Sequence, residues 1–215
     1  MSGRGLREQK KEKTKLAIQD AALRLFDQYE YRDVSIEQIT QAAGVSRATF
    51  FRYFTNKADV VLFDVTDRLL TDALSRLPAD DNPVRAFRKA IQTVDDGQAV
   101  PQRDADRQRE YLMRTVAELR AKVPHHILAA LPLLTAAFAK RHGRPTDDLE
   151  VRTVAGAIIG VTVATWTAVT DDLSEGFAER YVAHIDRALH KLENGVTLTG
   201  PHDTTERRQP QEGDF

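Results

Sequence analysis

Apolar residues recur along residues 14–29 at helical spacing. Ile18, Ala21, Ala22, Leu25, Phe26 and Tyr29 fall at i, i+3, i+4, i+7, i+8 and i+11, one stripe of an amphipathic helix. Residues 30–33 read as a loop. Ser35 then stands at an N-cap position, with Glu37 and Gln38 in the first turn. Ile36, Ile39, Ala42 and Ala43 give a short second helix that Gly44 closes, since glycine adopts the left-handed backbone at least cost. Val45 lies in the turn, and Ser46 caps a third helix over residues 47–54. Phe50 and Phe54, four apart, share its packing face.

Beyond Asn56 an apolar stripe through Val61, Val65, Leu69 and Leu70 predicts one helix over residues 57–77, stopped by Pro78. Further helices are expected over 83–95, 103–114, 116–143, 147–169 and 175–193. Pro124 and Pro132 predict a break or kink near one or both positions in the third of these segments. Residues 195–215, with Pro201, Pro210 and few apolar side chains, read as a disordered tail. No strand pattern and no internal repeat emerges. The expected fold class is all-α, with an N-terminal three-helix head and a C-terminal helical bundle.

Composition narrows the function. A chain of 215 residues, 41% hydrophobic and 29% charged, suits a soluble globular protein with one large or two small domains. The absence of cysteine excludes a disulfide framework, thiolate metal sites and a Cys nucleophile. The first fifteen residues hold no apolar stretch of a signal peptide, so a cytoplasmic location is expected. The net charge of −1 is unevenly spread. Residues 1–60 carry 11 Lys and Arg against 8 Asp and Glu, and the remainder 20 against 24. The basic excess sits in residues 1–15, where Arg4, Arg7, Lys10, Lys11, Lys13 and Lys15 stand against Glu8 and Glu12.

Enzymatic signatures fail on context. Gly44-Val-Ser-Arg-Ala48 nearly spells a nucleophile elbow, but that motif needs a preceding strand and the residues before Gly44 have helical spacing. His125 and His126 are adjacent, and His184 and His190 are six apart, so no HExxH zinc motif forms. No phosphate-binding glycine pattern occurs. The expectation is a protein without catalytic residues, metal or cofactor.

Helix, glycine turn and capped helix is helix-turn-helix spacing, in which the second helix can enter the major groove. A plain helical hairpin with solvated Arg and Tyr shares the spacing. In the second helix Ser46, Thr49 and Tyr53 form a polar stripe with Arg47 beside it, suited to base edges and phosphates. Lys57 would open the next helix as a phosphate anchor. Lys13 and Lys15, at the end of a basic N-terminal arm, are placed to touch the DNA backbone or minor groove.

The segment GVSRATFFRYFTNKADVV resembles the DNA-binding signature of the TetR family of bacterial transcriptional regulators. The resemblance covers about residues 14 to 60; the remainder is similar in length and all-helical pattern. It implies a DNA-contact set of Ser35, Ser46, Arg47, Ala48, Thr49, Phe51, Arg52, Tyr53 and Lys57, with Lys13 and Lys15 from the arm. Two positions depart from the family pattern, which has Tyr at Phe51 and His at Tyr53. Phe51 cannot hydrogen-bond a phosphate, so that role moves to Tyr53. The expected domains are a flexible arm over 1–13, the DNA-binding head over 14–56, a ligand-binding and dimerisation domain over 57–194 and the tail over 195–215.

Residues 153–170 form an uncharged run of 18, but Gly, Ala and five Thr dilute its hydrophobicity and acidic residues flank it, so no membrane span is expected. A helix apolar all round is instead expected to be buried on two sides, against its own domain and a second subunit. Gly156, Gly160 and Ala164 would allow close approach, and Phe177, Tyr181, Ile185 and Leu189 form a stripe on the next helix. A homodimer built on these residues is expected, and the resemblance implies the same. The resemblance also implies a pocket between about 83 and 170. Its candidate walls are Phe87, Ile91, Tyr111, Met113, Phe138 and Trp166, with Thr162, Thr165 and His125 as polar fixings; Trp166 could equally serve the dimer.

The Phe-Phe-Arg-Tyr-Phe form of the recognition helix is similar to a branch of the family with large hydrophobic or acyl-CoA-like ligands. The expected function is a dimeric repressor that binds a near-palindromic double-stranded DNA operator and is released by a small hydrophobic effector. The alternative is a regulator of the same kind controlled by a protein partner.

Overall fold

A computed structural model describes residues 3–63, 66–78, 82–96, 100–169 and 177–196. The expected disordered tail lies almost wholly outside these residues. The first helix, α1, spans Gly3–Gln28, so it starts eleven residues before the expected Thr14. Leu6 to Lys13 contains no Gly, Pro or β-branched residue, and its long side chains favour helix. The Thr14 hydroxyl donates to the Lys10 carbonyl at 2.9 Å, inside the helix rather than at its cap. The basic segment from Gly3 is therefore continuous with α1, not a separate arm.

Helix α2, Ile36–Ala42, begins with a reciprocal cap. Ser35 Oγ accepts from Gln38 N at 3.2 Å, and Ser35 N donates to Gln38 Oε1 at 2.8 Å. Gly44 sits at φ +65°, and Val45 N donates to Thr40 O at 3.0 Å to close the helix end. Ser46 Oγ caps α3, Arg47–Tyr53, by accepting from Thr49 N at 3.0 Å. Phe54 then turns to extended backbone, and Asn56 Oδ1 accepts from Asp59 N at 3.0 Å to start α4, Lys57–Leu62.

The single helix expected over 57–77 is two. Phe63 leaves helical geometry (φ −60°, ψ 123°), and α5 runs Thr66–Arg76. Gln19 of α1 makes the break tolerable. Its Nε2 donates to the carbonyls of Val60 at 2.8 Å and Phe63 at 2.6 Å, which an unbroken helix would have satisfied itself. Gln19 is buried on the face of α1 that carries Ala22, Leu23 and Phe26.

Then follow α6, Pro83–Asp96; α7, Val100–Thr115; α8, Ala117–Ala129; and α9, Leu131–His142. Of the two prolines within residues 116–143, Pro124 stays inside α8. The break falls at Ala130, with Pro132 in the first turn of α9, where a missing N–H costs nothing. Asp148 Oδ1 accepts from Glu150 N and Val151 N at 3.0 and 3.1 Å ahead of α10, Leu149–Val169. Helix α11, Phe177–Glu193, packs on α6 and α10.

Three buried clusters organise the chain. In the first, Ile18, Phe26, Ile39, Phe50 and Phe54 of the head share a core with Val60 and Val61 of α4, Leu112 of α7 and Leu119 of α8. The second joins α5, α6, α9, α10 and α11 around Phe138, Ile158 and Leu189. The third is small, with Leu62, Val123, Trp166 and Phe177 at its centre.

Helix α10 is long and apolar enough to span a bilayer, yet it packs among α6, α8, α9 and α11 and buries Val151, Ala155, Ile158, Ile159, Thr165 and Trp166 within the chain. The α11 stripe corrects the interface expectation. Phe177, Ile185 and Leu189 are buried within the subunit, and Tyr181 packs against the same cores, because the face they form is consumed in covering α6 and α10. Gly156 is half-buried on α10, while Gly160 and Ala164 stay exposed.

Candidate nucleic-acid interface

Helix α3 is held from behind and polar in front. Phe50 is fully buried and Phe54 nearly so, their rings 5.8 Å apart. Their burial fixes the rotation of α3 about its axis and turns Ser46, Arg47, Ala48, Phe51 and Arg52 to solvent. Thr49 is half-buried among polar neighbours: its hydroxyl is 2.9 Å from Ser46 Oγ and accepts from Arg52 Nη2 at 3.0 Å. Tyr53 packs its ring partly against the head core. Phe51 is 45% exposed, with the Arg47 guanidinium 5.3 Å from its ring centre. Arg47 also pairs with Glu37 of α2, both side chains being largely exposed. A pair of that kind is weak and exchangeable, so Arg47 is free to trade it for a phosphate or base.

The cations behind α3 are differently placed. Lys57 does not offer its ammonium as a phosphate anchor. Nζ donates to the carbonyls of Tyr31 at 2.6 Å and of Arg32 and Val34 at 3.1 Å, which occupies all three donors. Burial pulls its pKa below the usual lysine value, opposed by Glu118 and Asp33. Only the fold could show this, because the carbonyls come from the loop between α1 and α2. Lys15 is partly buried with Nζ 4.8 Å from the Phe63 ring centre, facing the start of the body, whereas Lys13 is exposed. Ser35 is occupied by its capping box.

The ligand candidates do not converge on one cavity. Phe87, Ile91 and Phe138 belong to the second core, whereas Met113 and Trp166 line the third. Tyr111 is 65% exposed, which corrects its placement as a pocket wall; Leu112 takes the inward side of α7 and leaves its neighbour facing out. The Thr162 hydroxyl donates to Ile158 O at 2.9 Å, and the Tyr181 hydroxyl donates to Thr162 O at 3.3 Å. Thr165 is buried. His125 borders two surface cavities. One, about 380 Å³ between head and body, includes Lys15, Tyr53, Phe63, Lys122 and His126; the other, about 460 Å³ and nearly all apolar, runs along Gly156, Gly160 and Ala164 of α10.

Sequence reasoning missed the polar ties. Arg88 of α6 grips Asp186 of α11 through Nε and Nη2 at 2.8 and 3.0 Å and reaches Glu193 at 2.9 Å. Arg141 of α9 donates to the carbonyls of Leu74 at 2.6 Å, Leu77 at 3.1 Å and Pro78, closing the end of α5. Arg114 of α7 is buried beside Glu110 and stacked against Phe177.

A short capped helix carrying a polar, solvent-facing stripe, locked across a glycine turn onto a three-helix core, defines a helix-turn-helix DNA-binding regulator. The chain belongs to the TetR family. Residues 18–62 match the family model for bacterial regulatory proteins of the tetR family, and residues 81–197 match that for the MftR C-terminal domain.

Among curated relatives, the chain is 28% identical over 175 residues to the putative mycofactocin biosynthesis transcriptional regulator MftR of Mycobacterium tuberculosis (79% of this chain, 86% of that one). It is 36% identical over 103 residues to the regulator TcmR of Streptomyces glaucescens (45% of this chain, 46% of that one). Among solved structures it resembles Thermus thermophilus FadR, a TetR family transcriptional repressor in complex with lauroyl-CoA, with a TM-score of 0.51 and 22% identity over 87% of this chain and 97% of that one. That likeness is one of fold.

Proposed function

We propose that this TetR-family regulator acts as a homodimeric repressor, binds a near-palindromic operator through α3 and leaves it when a small hydrophobic effector occupies the body. One observation carries the reading: Leu112 and Leu119 of the body are buried in the same core as Phe50 and Phe54, the residues that fix the recognition helix. A repacking of α7 and α8 therefore reaches α3 through α1 and α4, which they pack against and which share its core, without relying on α4 alone. An effector that prefers the repacked state weakens operator binding by as much as it prefers that state.

Contacts from Ser46, Arg47, Thr49, Arg52 and Tyr53, with Lys13 behind them, make up the DNA face. We assign the head to residues 14–56 and the effector and dimer functions to 57–194, with Gly156, Gly160 and Ala164 of α10 as the subunit contact. An acyl-CoA-like effector agrees with the form of the recognition helix and with the lauroyl-CoA bound to the structurally similar FadR. The test is binding to the chain's own upstream DNA and to scrambled DNA at two salt concentrations, with and without lauroyl-CoA. Selective, salt-sensitive binding that the ligand reverses supports the reading; equal weak binding to both DNAs defeats it. Selective binding that no small molecule reverses, with no saturable thermal stabilisation, transfers control to a protein partner.

A further inference from the structure

Arg114 is among the most deeply buried charges in the described chain, with a side chain 5% exposed. Nη1 donates to Glu110 Oε1 at 2.9 Å, one turn earlier on α7. Its Nε and Nη2 are buried and have no hydrogen-bond partner among the described residues. These two N–H groups lie on one edge of the guanidinium and form the parallel fork that fits a carboxylate. The same chain shows that edge filled elsewhere: Arg88 uses its Nε and Nη2 to hold both oxygens of Asp186. At Arg114 the same fork is buried without a partner among the described residues. Buried donors are nearly always paired, because leaving them unpaired costs the full loss of hydration.

The surroundings supply the rest of a ligand site. The Phe177 ring centre lies 4.1 Å from the Arg114 guanidinium carbon. Phe177 stacks on Tyr181 at 5.7 Å, and both meet the Trp166 ring at 5.8 Å. This aromatic wall belongs to the small core that includes Leu62 of α4 and Val123 of α8. One charged fork beside a mostly apolar, aromatic cluster is the composition of a small-molecule site. Leu62 ends the helix that follows the recognition helix, so a molecule entering here pushes on the element carrying the DNA face.

We infer that Arg114 heads the effector site and that the molecule it takes is an apolar chain ending in a carboxylate, which the Nε and Nη2 edge grips while the chain repacks Trp166, Phe177 and Tyr181. This rests on the effector reading proposed above and narrows its ligand from an acyl-CoA thioester to the free acid, whose carboxylate the fork requires. The Glu110 carboxylate takes Nη1 and leaves the Nε and Nη2 edge for the ligand.

Trp166 is the chain's only tryptophan, so its emission reports on this compartment alone. The experiment titrates the full-length protein with decanoate and with 1-decanol, an equal chain without the carboxylate, for the native sequence and for Arg114→Gln. Operator release is read in the same samples. A saturable Trp166 change with decanoate about tenfold or more tighter than decanol, and a ratio near one in Arg114→Gln, is the expected result.

Equal affinities in the native protein, a ratio unchanged by Arg114→Gln, or no saturable change with either compound overturns the inference. Head-group-selective binding at Trp166 without operator release leaves the site standing and sinks the regulatory reading. Operator release by decanoate without that selectivity does the reverse. Should Arg114→Gln not fold, Arg114→Lys, which keeps the charge but lacks the two-donor edge, replaces it. The native acid-to-alcohol ratio stands as a test by itself.

Discussion

Lys57 Nζ lies 2.6 Å from the Tyr31 carbonyl oxygen and 4.5 Å from the centre of the Tyr31 ring. One cation thus ties the loop between α1 and α2 to the start of α4, satisfying carbonyls that no helix end can reach. Lys57→Met should destabilise the chain by about 1–3 kcal/mol, read as a lower urea midpoint at unchanged slope. It should leave the salt dependence of DNA binding unaltered, whereas loss of a phosphate contact would reduce the slope by about one. A reduced slope with unchanged stability would return Lys57 to the DNA face.

Arg47 and Glu37 offer a paired test of the interface. Arg47→Ala should weaken operator binding by about 1–3 kcal/mol if the guanidinium reads a base, and should relax preference at that position. Glu37→Gln removes the partner that holds Arg47 in the free protein, together with a negative charge beside the proposed DNA face. Because an exposed pair is worth less than about 1 kcal/mol, its loss should barely change the melting temperature while operator affinity rises a few-fold. Electrophoretic or fluorescence titration at fixed salt decides it.

The local signals in the sequence were readable because each is a short-range consequence of one residue. Gly44 supplies its positive φ, Ser35 and Ser46 supply their caps, and Pro132 falls in the first turn of a new helix. What could not be read depends on partners far along the chain. The break at Phe63 requires Gln19, and the engagement of Lys57 requires a loop more than twenty residues away. The stripe through Phe177, Ile185 and Leu189 was correctly apolar, but periodicity gives a face without saying what covers it. Here α6 and α10 of the same subunit cover it.

The shared core of head and body makes Leu119 a coupling residue. It is fully buried on α8, among head residues that include Phe54 and Tyr31. Leu119→Ala should cost about 2–5 kcal/mol through the cavity it leaves. Since that cavity opens beneath the head, operator affinity should fall together with stability. An uncoupled head would instead keep its DNA affinity at temperatures where the variant is still folded.

Acid should release α11 from α6. The Arg88 hydrogen bonds hold the Asp186 carboxyl below its ordinary pKa, and burial only partly opposes them. A depressed carboxylate pKa contributes stability that is complete above the unfolded value of about 3.9 and is lost as pH falls through the folded value. The melting-temperature gap between the native chain and Arg88→Met should therefore be widest near neutral pH and close below about pH 4. A gap independent of pH would show that Arg88 acts through its packed stem rather than through Asp186.

Gly160 separates what holds the subunit together from what would join two of them. A Cβ built there meets nothing within 4 Å in its own chain, and the residue is exposed in the middle of α10. Gly160→Leu should therefore leave the isolated subunit no less stable, and helix propensity alone favours the change by about 0.5–1 kcal/mol. If α10 of a second copy packs against this stripe, the same side chain holds the two helices apart. The expected outcome is a monomer by sedimentation, with intact helical content and operator affinity reduced toward that of a single head. Leu189→Ala, by contrast, opens a cavity inside the subunit and should lower the melting temperature at any protein concentration. A Gly160→Leu protein that remains dimeric and binds the operator normally would place the subunit contact elsewhere than on α10.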